Sequence, residues 1–140
     1  MTAEYEVIEL ILSRIKIDEK RSEQVIVLKE KKGTRMLPVV IGIAEVNAIK
    51  LKLSGINPPR PLTHDLLLNT VKDLGARLKH VVIDKLENNT FFAKLVIARN
   101  GKEEIQVDAR PSDSIAIALR ADVPIFVEEV VLDQASISDE

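Results

Sequence analysis

The 140-residue chain contains no cysteine, which excludes disulfide bonds, thiolate metal ligands and cysteine nucleophiles. Aromatic residues make up only 3% of it, so few rings are available for stacking on nucleic-acid bases. No apolar run approaches the roughly 18 residues that a membrane helix needs. Near the N-terminus, Glu4, Glu6 and Glu9 interrupt any apolar segment of a secretory signal. We therefore expect a cytoplasmic protein without membrane contact.

The chain also has no large excess of acidic or of basic residues. The chain has 20 basic and 22 acidic residues, a formal net charge of -2. Most nucleic-acid-binding proteins carry a net basic surface, so any phosphate-binding face here has to come from local clustering. An apolar share of 46% with 30% charged residues is typical of a globular protein. We expect a single domain over residues 1–132 and an acidic, frayed tail at 133–140.

The sequence matches itself without a gap when it is shifted by 68 positions. The matched pairs are Leu10 and Leu78, Ile15 and Ile83, Gly33 and Gly101, Val39 and Val107, and Leu51 and Leu119. Acidic Glu45 falls on acidic Asp113 in the same register. This pattern predicts an internal duplication, with repeats at about 5–55 and 73–123. The alternative is a coincidence between two generic amphipathic patterns.

Each repeat is predicted to form three strands followed by a helix, because alternating apolar residues give way to a helical period. The expected strands cover 7–17, 25–28, 36–41, 78–83, 91–98, 105–107 and, at the end, 125–131. Asn100-Gly101 is the strongest hairpin signal. The expected helices cover 42–53, 63–74 with Thr63 as N-cap, and 111–120 beginning at Pro111. The fold class is therefore α+β: duplicated β3-α units, with mostly antiparallel sheets packed against about three helices.

Polar residues are concentrated where the last of these helices begins, in Asp108-Ala109-Arg110-Pro111-Ser112-Asp113. A helix N-terminus suits an anion, and a guanidinium can grip a phosphate with its planar fork. Asp108 and Asp113 could hold a hard divalent cation such as Mg²⁺, which often takes only one or two protein carboxylates. The alternative is helix capping, with Arg110 simply paired to Asp108 or Asp113.

A second polar cluster, Arg60 to Asp65, opens the preceding helix. His64 is one of only two histidines, and histidine suits proton transfer near neutral pH. In the alternative interpretation Asp65 is only a first-turn acid and His64 a structural residue. The other histidine, His80, alternates with apolar strand residues, so we expect it to be structural. Glu45 is either a helix-start acid or a third carboxylate of the site.

Four segments resemble the bifunctional nuclease family, in the family's motif order, within a stretch from about residue 5 to residue 131. They are residues 37–49 (LPVVIGIAEVNAI), 59–66 (PRPLTHDL), 91–93 (FFA) and 107–116 (VDARPSDSIA). The resemblance implies an α+β domain of two β3-α units and, in some members, nuclease activity on both RNA and DNA. It also implies a set of site positions: Glu45, Arg60, Thr63, His64, Asp65, Asp108, Arg110, Ser112 and Asp113.

Two functional hypotheses follow. In the first, the protein is a metal-assisted phosphodiesterase acting on RNA or DNA, with Mg²⁺ or Mn²⁺ held by Asp108 and Asp113. The catalytic residues are then His64, oriented by Asp65 and moving the proton, and Glu45; the phosphate is bound by Arg60, Thr63, Arg110 and Ser112. In the second, the protein is a non-catalytic module that binds a partner protein or an anion. For either hypothesis we expect a homo-oligomer, with a dimer as the default.

Overall fold

The computed structural model describes residues 6–18 and 23–137. The strands are β1 (Val7–Asp18), β2 (Glu23–Glu30), β3 (Met36–Ile41), β4 (Ala76–Glu87), β5 (Thr90–Arg99), β6 (Ile105–Ala109) and β7 (Ile125–Glu128). The helices are α1 (Ile43–Leu53), α2 (Thr63–Asp73), α3 (Pro111–Ala121) and α4 (Glu129–Ala135). Within these ranges no helix combines the length and the apolar character needed to cross a membrane.

The described strands form one seven-stranded sheet in the order β3-β2-β1-β7-β4-β5-β6. Neighbouring strands are antiparallel except β4 and β7, which run parallel. The predicted α+β class and the mostly antiparallel pairing are therefore confirmed. Each half of the chain contributes three antiparallel strands and a following helix, and β7 joins the two halves. The common origin of the halves stays a prediction.

The two hairpins of the second half lie at the expected turns but differ in length. Asn88 and Asn89 both take positive φ, 52° and 62°, and form the tight turn between β4 and β5. Between β5 and β6 only Gly101 does so, at 66°, within a longer connection. Two consecutive residues at positive φ match the twist of a two-residue hairpin, and asparagine tolerates this conformation. The tighter of these two hairpins is therefore the one at Asn88-Asn89, within the turn expected over residues 87–90, and the connection at Asn100-Gly101 is longer.

Helix α3 is the most deeply buried helix of the described part. Ser114, Ile115, Ala116, Ile117 and Ala118 are all buried, and the helix contacts β3, β4 and β5 as well as α1 and α2. Small side chains such as Ser114 and Ala116 let it pack closely. Its N-terminus therefore lies between two other helices, the C-terminal end of β3 and the N-terminal end of β5. Pro111 occupies its first turn, as predicted.

The prediction for the last strand was wrong at its C-terminal end. The last strand ends at Glu128 rather than residue 131, and α4 follows at once. Val131 and Leu132 are buried in the core, and Arg35 binds Glu129 (Nη1 to Oε1, 2.8 Å) and Asp133 (Nη1 to Oδ1, 3.0 Å). Asp133, the first residue of the expected tail, is thus paired with an arginine, and Ile137 pairs with Met36. Fraying of the tail as a whole stays a prediction. Residues 138–140 of that tail lie outside the described residues.

Candidate active site

Four charged or titratable side chains meet where the helices converge, and we call them the helix-junction cluster: Glu45, His64, Arg110 and Asp113. Nε2 of His64 lies 3.0 Å from Oδ1 of Asp113. Nε of Arg110 donates to Oδ2 of Asp113 at 2.9 Å, and its Nη2 donates to Oε1 of Glu45 at 2.6 Å. The two polar segments predicted to meet therefore do so, through His64 and Asp113.

Glu45 reaches the cluster from the first turn of α1, where its side chain is buried. Gly42, the N-cap residue of α1, makes room for it: a Cβ on Gly42 would lie only 2.6 Å from Oε2 of Glu45. A buried carboxylate is costly unless it is paired, and Arg110 supplies the pair. The glycine and the arginine together explain why an acid is tolerated at this position.

His64 is the second residue of α2, and its side chain is only 12% exposed. The prediction that Asp65 orients it was wrong. Adjacent residues on a helix point in different directions, so Asp65 faces other partners. Its Oδ2 accepts a hydrogen bond from the backbone N–H of Leu62 at 3.0 Å, which makes Asp65 a capping acid. Leu62, not Thr63, is the N-cap residue; Thr63 is the first helical residue and is exposed.

Arg120 was missed as a structural partner of the site. Its side chain is 7% exposed, hydrogen-bonds Asp65 and donates through Nη1 to the carbonyl of Ala48 at 2.9 Å. It therefore joins α3 to α1 and α2, as Arg110 and Asp113 do at the other end of α3. The spacing of seven residues between Asp113 and Arg120 puts them on one face of a helix, and this was the available signal.

The electrostatics of the cluster favour an ionised Asp113. Burial alone would raise the pKa of this carboxyl, but hydrogen bonds from His64 and Arg110 outweigh it and lower the pKa below the ordinary value. The same contact with Asp113 raises the pKa of Arg110. Because an ionised carboxylate only accepts hydrogen bonds, Nε2 of His64 carries the hydrogen in this contact. In a neutral imidazole the other ring nitrogen, Nδ1, is then the hydrogen-bond acceptor.

The two predicted phosphate-binding arginines open onto different clefts. Arg110 and Ser112 line a cleft of about 560 Å³ between the β3–α1 junction and the start of β5. Arg60 lines another, of about 460 Å³, together with Lys52 and Arg120. A single phosphate is therefore not held by Arg60 and Arg110 together in this arrangement, because each faces its own cleft.

Asp108 lies apart from the helix-junction cluster in its contacts. It is an exposed residue of β6, and its Oδ1 lies 3.7 Å from Nζ of Lys94 on the neighbouring strand. Both oxygens of Asp113 are already bound by His64 and Arg110. Across residues 6–18 and 23–137 no three His, Asp or Glu side chains are arranged to hold a metal ion. The contacts of Asp108 and Asp113 thus do not fit the expected two-carboxylate ligand set, and cation dependence stays a prediction.

Comparison with known proteins decides the family. The family model described as the bifunctional nuclease domain matches residues 26–140, a range that contains the whole helix-junction cluster. The chain belongs to the bifunctional nuclease domain family. This confirms the resemblance carried by the sequence motifs.

Two kinds of relative of this bifunctional nuclease domain stand out. An uncharacterised protein of Mycobacterium tuberculosis is 49% identical over 123 residues, which cover 88% of this chain and 73% of that one. Bifunctional nuclease 1 of Oryza sativa subsp. indica is 34% identical over 106 residues, and Bifunctional nuclease 1 of Arabidopsis thaliana 31% over 108. The matched segment is only 32% and 33% of these plant proteins, so the chain corresponds to about a third of their length.

Proposed function

We propose that this bifunctional nuclease domain hydrolyses phosphodiester bonds in RNA or DNA at the helix-junction cluster. One contact supports this most directly: the 3.0 Å approach of His64 Nε2 to Asp113 Oδ1, next to the guanidinium of Arg110. A histidine whose second nitrogen is held by an ionised carboxylate is the arrangement that general-base catalysis uses. Membership of the family, and the names of the plant relatives, point to the same chemistry.

Arg110 is the residue we assign to the phosphate. Its side chain is 68% exposed although Glu45 and Asp113 hold it on two sides. Nη1 has no protein partner in the described part of the chain, whereas Nε and Nη2 do. Because this arginine is already held in place, it loses little conformational entropy when it binds a phosphate oxygen.

His64 is the residue we assign to proton transfer. With Nε2–H donating to Asp113, Nδ1 accepts a proton from a water molecule as that water attacks the phosphorus. A new P–O bond forms, the P–O bond to the leaving nucleotide breaks, and the leaving oxygen is protonated from solvent or from the histidinium. Asp113 stabilises the positive charge that His64 acquires. The products are a phosphate monoester and a hydroxyl end.

The predicted Mg²⁺ or Mn²⁺ requirement is a separate part of the proposal, and no step above depends on it. A bound cation would add electrophilic assistance at the phosphate. Activity measured after EDTA treatment and after return of either ion tests the requirement. Unchanged activity in EDTA would remove the cation from the account while leaving the roles of His64 and Arg110 intact.

One observation favours the alternative, a non-catalytic module that binds an anion or a partner protein. Glu45, Asp65 and Asp113 are all paired with arginines, as expected if they only fasten helices together. Such a protein would still bind phosphate at Arg110 but would turn over no substrate. The two candidates therefore differ in catalysis rather than in binding.

The test compares His64→Gln with His80→Gln in a cleavage assay on RNA and DNA oligonucleotides. His80 is a matched control because it packs edge-on against Phe126, at 5.1 Å between ring centroids, away from the cluster. We expect His64→Gln to lose about 10²-fold or more of the activity and His80→Gln to retain it. Equal activity of both variants and the parent would assign the cleavage to a contaminant. A parent without activity on any oligonucleotide would favour the binding module.

A further inference from the structure

The cleft that Arg110 lines is also lined by an aromatic side chain, Phe91, and we call it the Phe91 cleft. It lies between the β3–α1 junction, the beginning of β5 and the N-terminus of α3, and its volume is about 560 Å³. Small-molecule sites in proteins fall between about 300 and 1,000 Å³. The cleft is therefore large enough for one nucleotide unit.

Phe91 is the only aromatic residue that lines this cleft among the described residues. Phe91, Ala93 and Leu95 are spaced two residues apart along β5, so their side chains lie on the same face of the sheet. Ala93 and Leu95 are buried, so this is the face that carries the core, and Phe91 pairs there with Leu86 of β4. Phe91 packs against that core and is only partly buried. A ring that is held by the core and still partly exposed in a cleft is a suitable platform for a planar group.

Phe92, the next residue, lies on the opposite face of the sheet. It pairs with Lys85, whose Nζ lies 4.9 Å from the centre of its ring. Successive residues of a strand point to opposite faces, which explains the different surroundings of the two rings. Phe92 is therefore a control of the same residue type, in the same strand, outside the cleft.

The opening of the cleft combines apolar and cationic groups. Val40 and Ile43 line it and are 60% and 61% exposed, high values for β-branched apolar residues. Arg110 lines the same cleft and supplies a positive charge. Glu23, which also lines it, repels a phosphate but can accept a hydrogen bond from the amino group of a base. A ligand with a flat, largely apolar body and one anionic group fits this combination.

We propose that the Phe91 cleft binds one unpaired base of a nucleic acid, stacked on Phe91, beside the phosphate held by Arg110. The identity of that phosphate as the scissile one rests on the proposed function. A base inside a duplex is stacked on both sides and cannot stack on a protein ring without leaving the helix. The preferred substrate is therefore single-stranded. Stacking on one ring is tolerant of sequence, so little base specificity is expected.

Binding is measured with single-stranded oligonucleotides that carry 2-aminopurine, whose fluorescence is quenched when it stacks. The experiment is done in EDTA with the parent, Phe91→Leu, Phe91→Trp and Phe92→Leu. We expect the parent to quench the probe, Phe91→Leu to bind about tenfold or more weakly with quenching lost, and Phe92→Leu to match the parent. Phe91→Trp should retain quenching because it keeps an aromatic face. Thermal unfolding of each variant confirms that it is folded.

Quenching by Phe91→Leu equal to that of the parent, an unquenched parent, or equal affinity for a matched duplex would overturn the base site. Different results would overturn the proposed nuclease function. A parent that quenches the probe but never cleaves keeps the base site and loses the nuclease. A parent that cleaves an oligonucleotide with an abasic residue beside the cut as fast as the intact one keeps the nuclease and loses the base site.

Discussion

His64 and Asp113 are separated by 49 residues in the chain, yet Nε2 of one lies 3.0 Å from Oδ1 of the other. The contact exists because α2 and α3 pack together with both N-terminal turns near the junction. It depends on the buried position of α3 between the sheet and the two other helices. The same packing places Arg110 beside Glu45 of α1, so three helices contribute to one small polar cluster.

Arg110→Lys should reduce kcat/KM by about tenfold or more. Lysine keeps the charge but loses the planar fork that contacts Glu45 and Asp113 while leaving Nη1 for a phosphate. Stability should change by less than about 1 kcal/mol, because the arginine side chain is largely exposed. Steady-state kinetics and chemical denaturation measure the two effects. Unchanged kcat/KM in a folded variant would remove Arg110 from phosphate binding.

Gly42→Ala should disturb the cluster without straining the backbone. The φ of Gly42 is -78°, which alanine adopts freely, but its Cβ would lie 2.6 Å from Oε2 of Glu45. Glu45 then shifts and Arg110 loses its hydrogen bond to Glu45, so we expect kcat/KM to fall between about tenfold and a hundredfold. Gly33→Ala is the matched control, since its Cβ presses on Glu30 instead. Equal losses in both variants would point to general destabilisation.

Arg120→Met should destabilise the fold by about 2 kcal/mol. It leaves the carboxylate of Asp65 and the carbonyl of Ala48 without their arginine partner in a half-buried setting. Asp65→Asn in the same background should restore part of the loss, because it removes the unpaired charge. Urea denaturation of the parent, both single variants and the double variant measures the coupling. Additive losses would mean that the two side chains act independently.

The contribution of Asp65 to stability should disappear in acid. Its hydrogen bond with Arg120 lowers the pKa of the Asp65 carboxyl below the ordinary value. A carboxylate with a lowered folded pKa stabilises the fold above the unfolded pKa of about 3.9, and the contribution is lost as the pH falls through the folded pKa. The difference in unfolding free energy between the parent and Asp65→Asn should therefore narrow below about pH 4. A difference that stays constant into this range would contradict the pairing.

Local sequence pattern was sufficient for much of the fold. Strand β3 and the start of α3 at Pro111 were predicted correctly, because alternation and a proline in the first helical turn are decided within a few residues. Strand β2 begins earlier than predicted, at Glu23, and strand β4 ends later than predicted, at Glu87. Pairing with neighbouring strands extends both of them through polar residues. Helix α4 was missed, since its stabilising partner Arg35 lies 94 residues away from Glu129.

Which side chains lie close together was predicted better than how they pair, and their catalytic and binding roles stay predictions. The motifs pointed to Glu45, His64, Arg110 and Asp113, and the fold brings these four together. The partner assigned to His64 was wrong because proximity in sequence was taken for proximity in space. Arg120 was missed because its role depends on a carbonyl of α1 and a carboxylate of α2, which only the packing of three helices unites.

The most direct test of the account is a double-mutant cycle on kcat/KM with His64→Gln and Asp113→Asn, on a single-stranded oligonucleotide. If the two side chains act as one catalytic unit, each single variant loses about 10²-fold or more, and the double variant is about as slow as the slower single one. Losses that multiply, or a folded double variant that cleaves as fast as the parent, would contradict a shared catalytic role for His64 and Asp113.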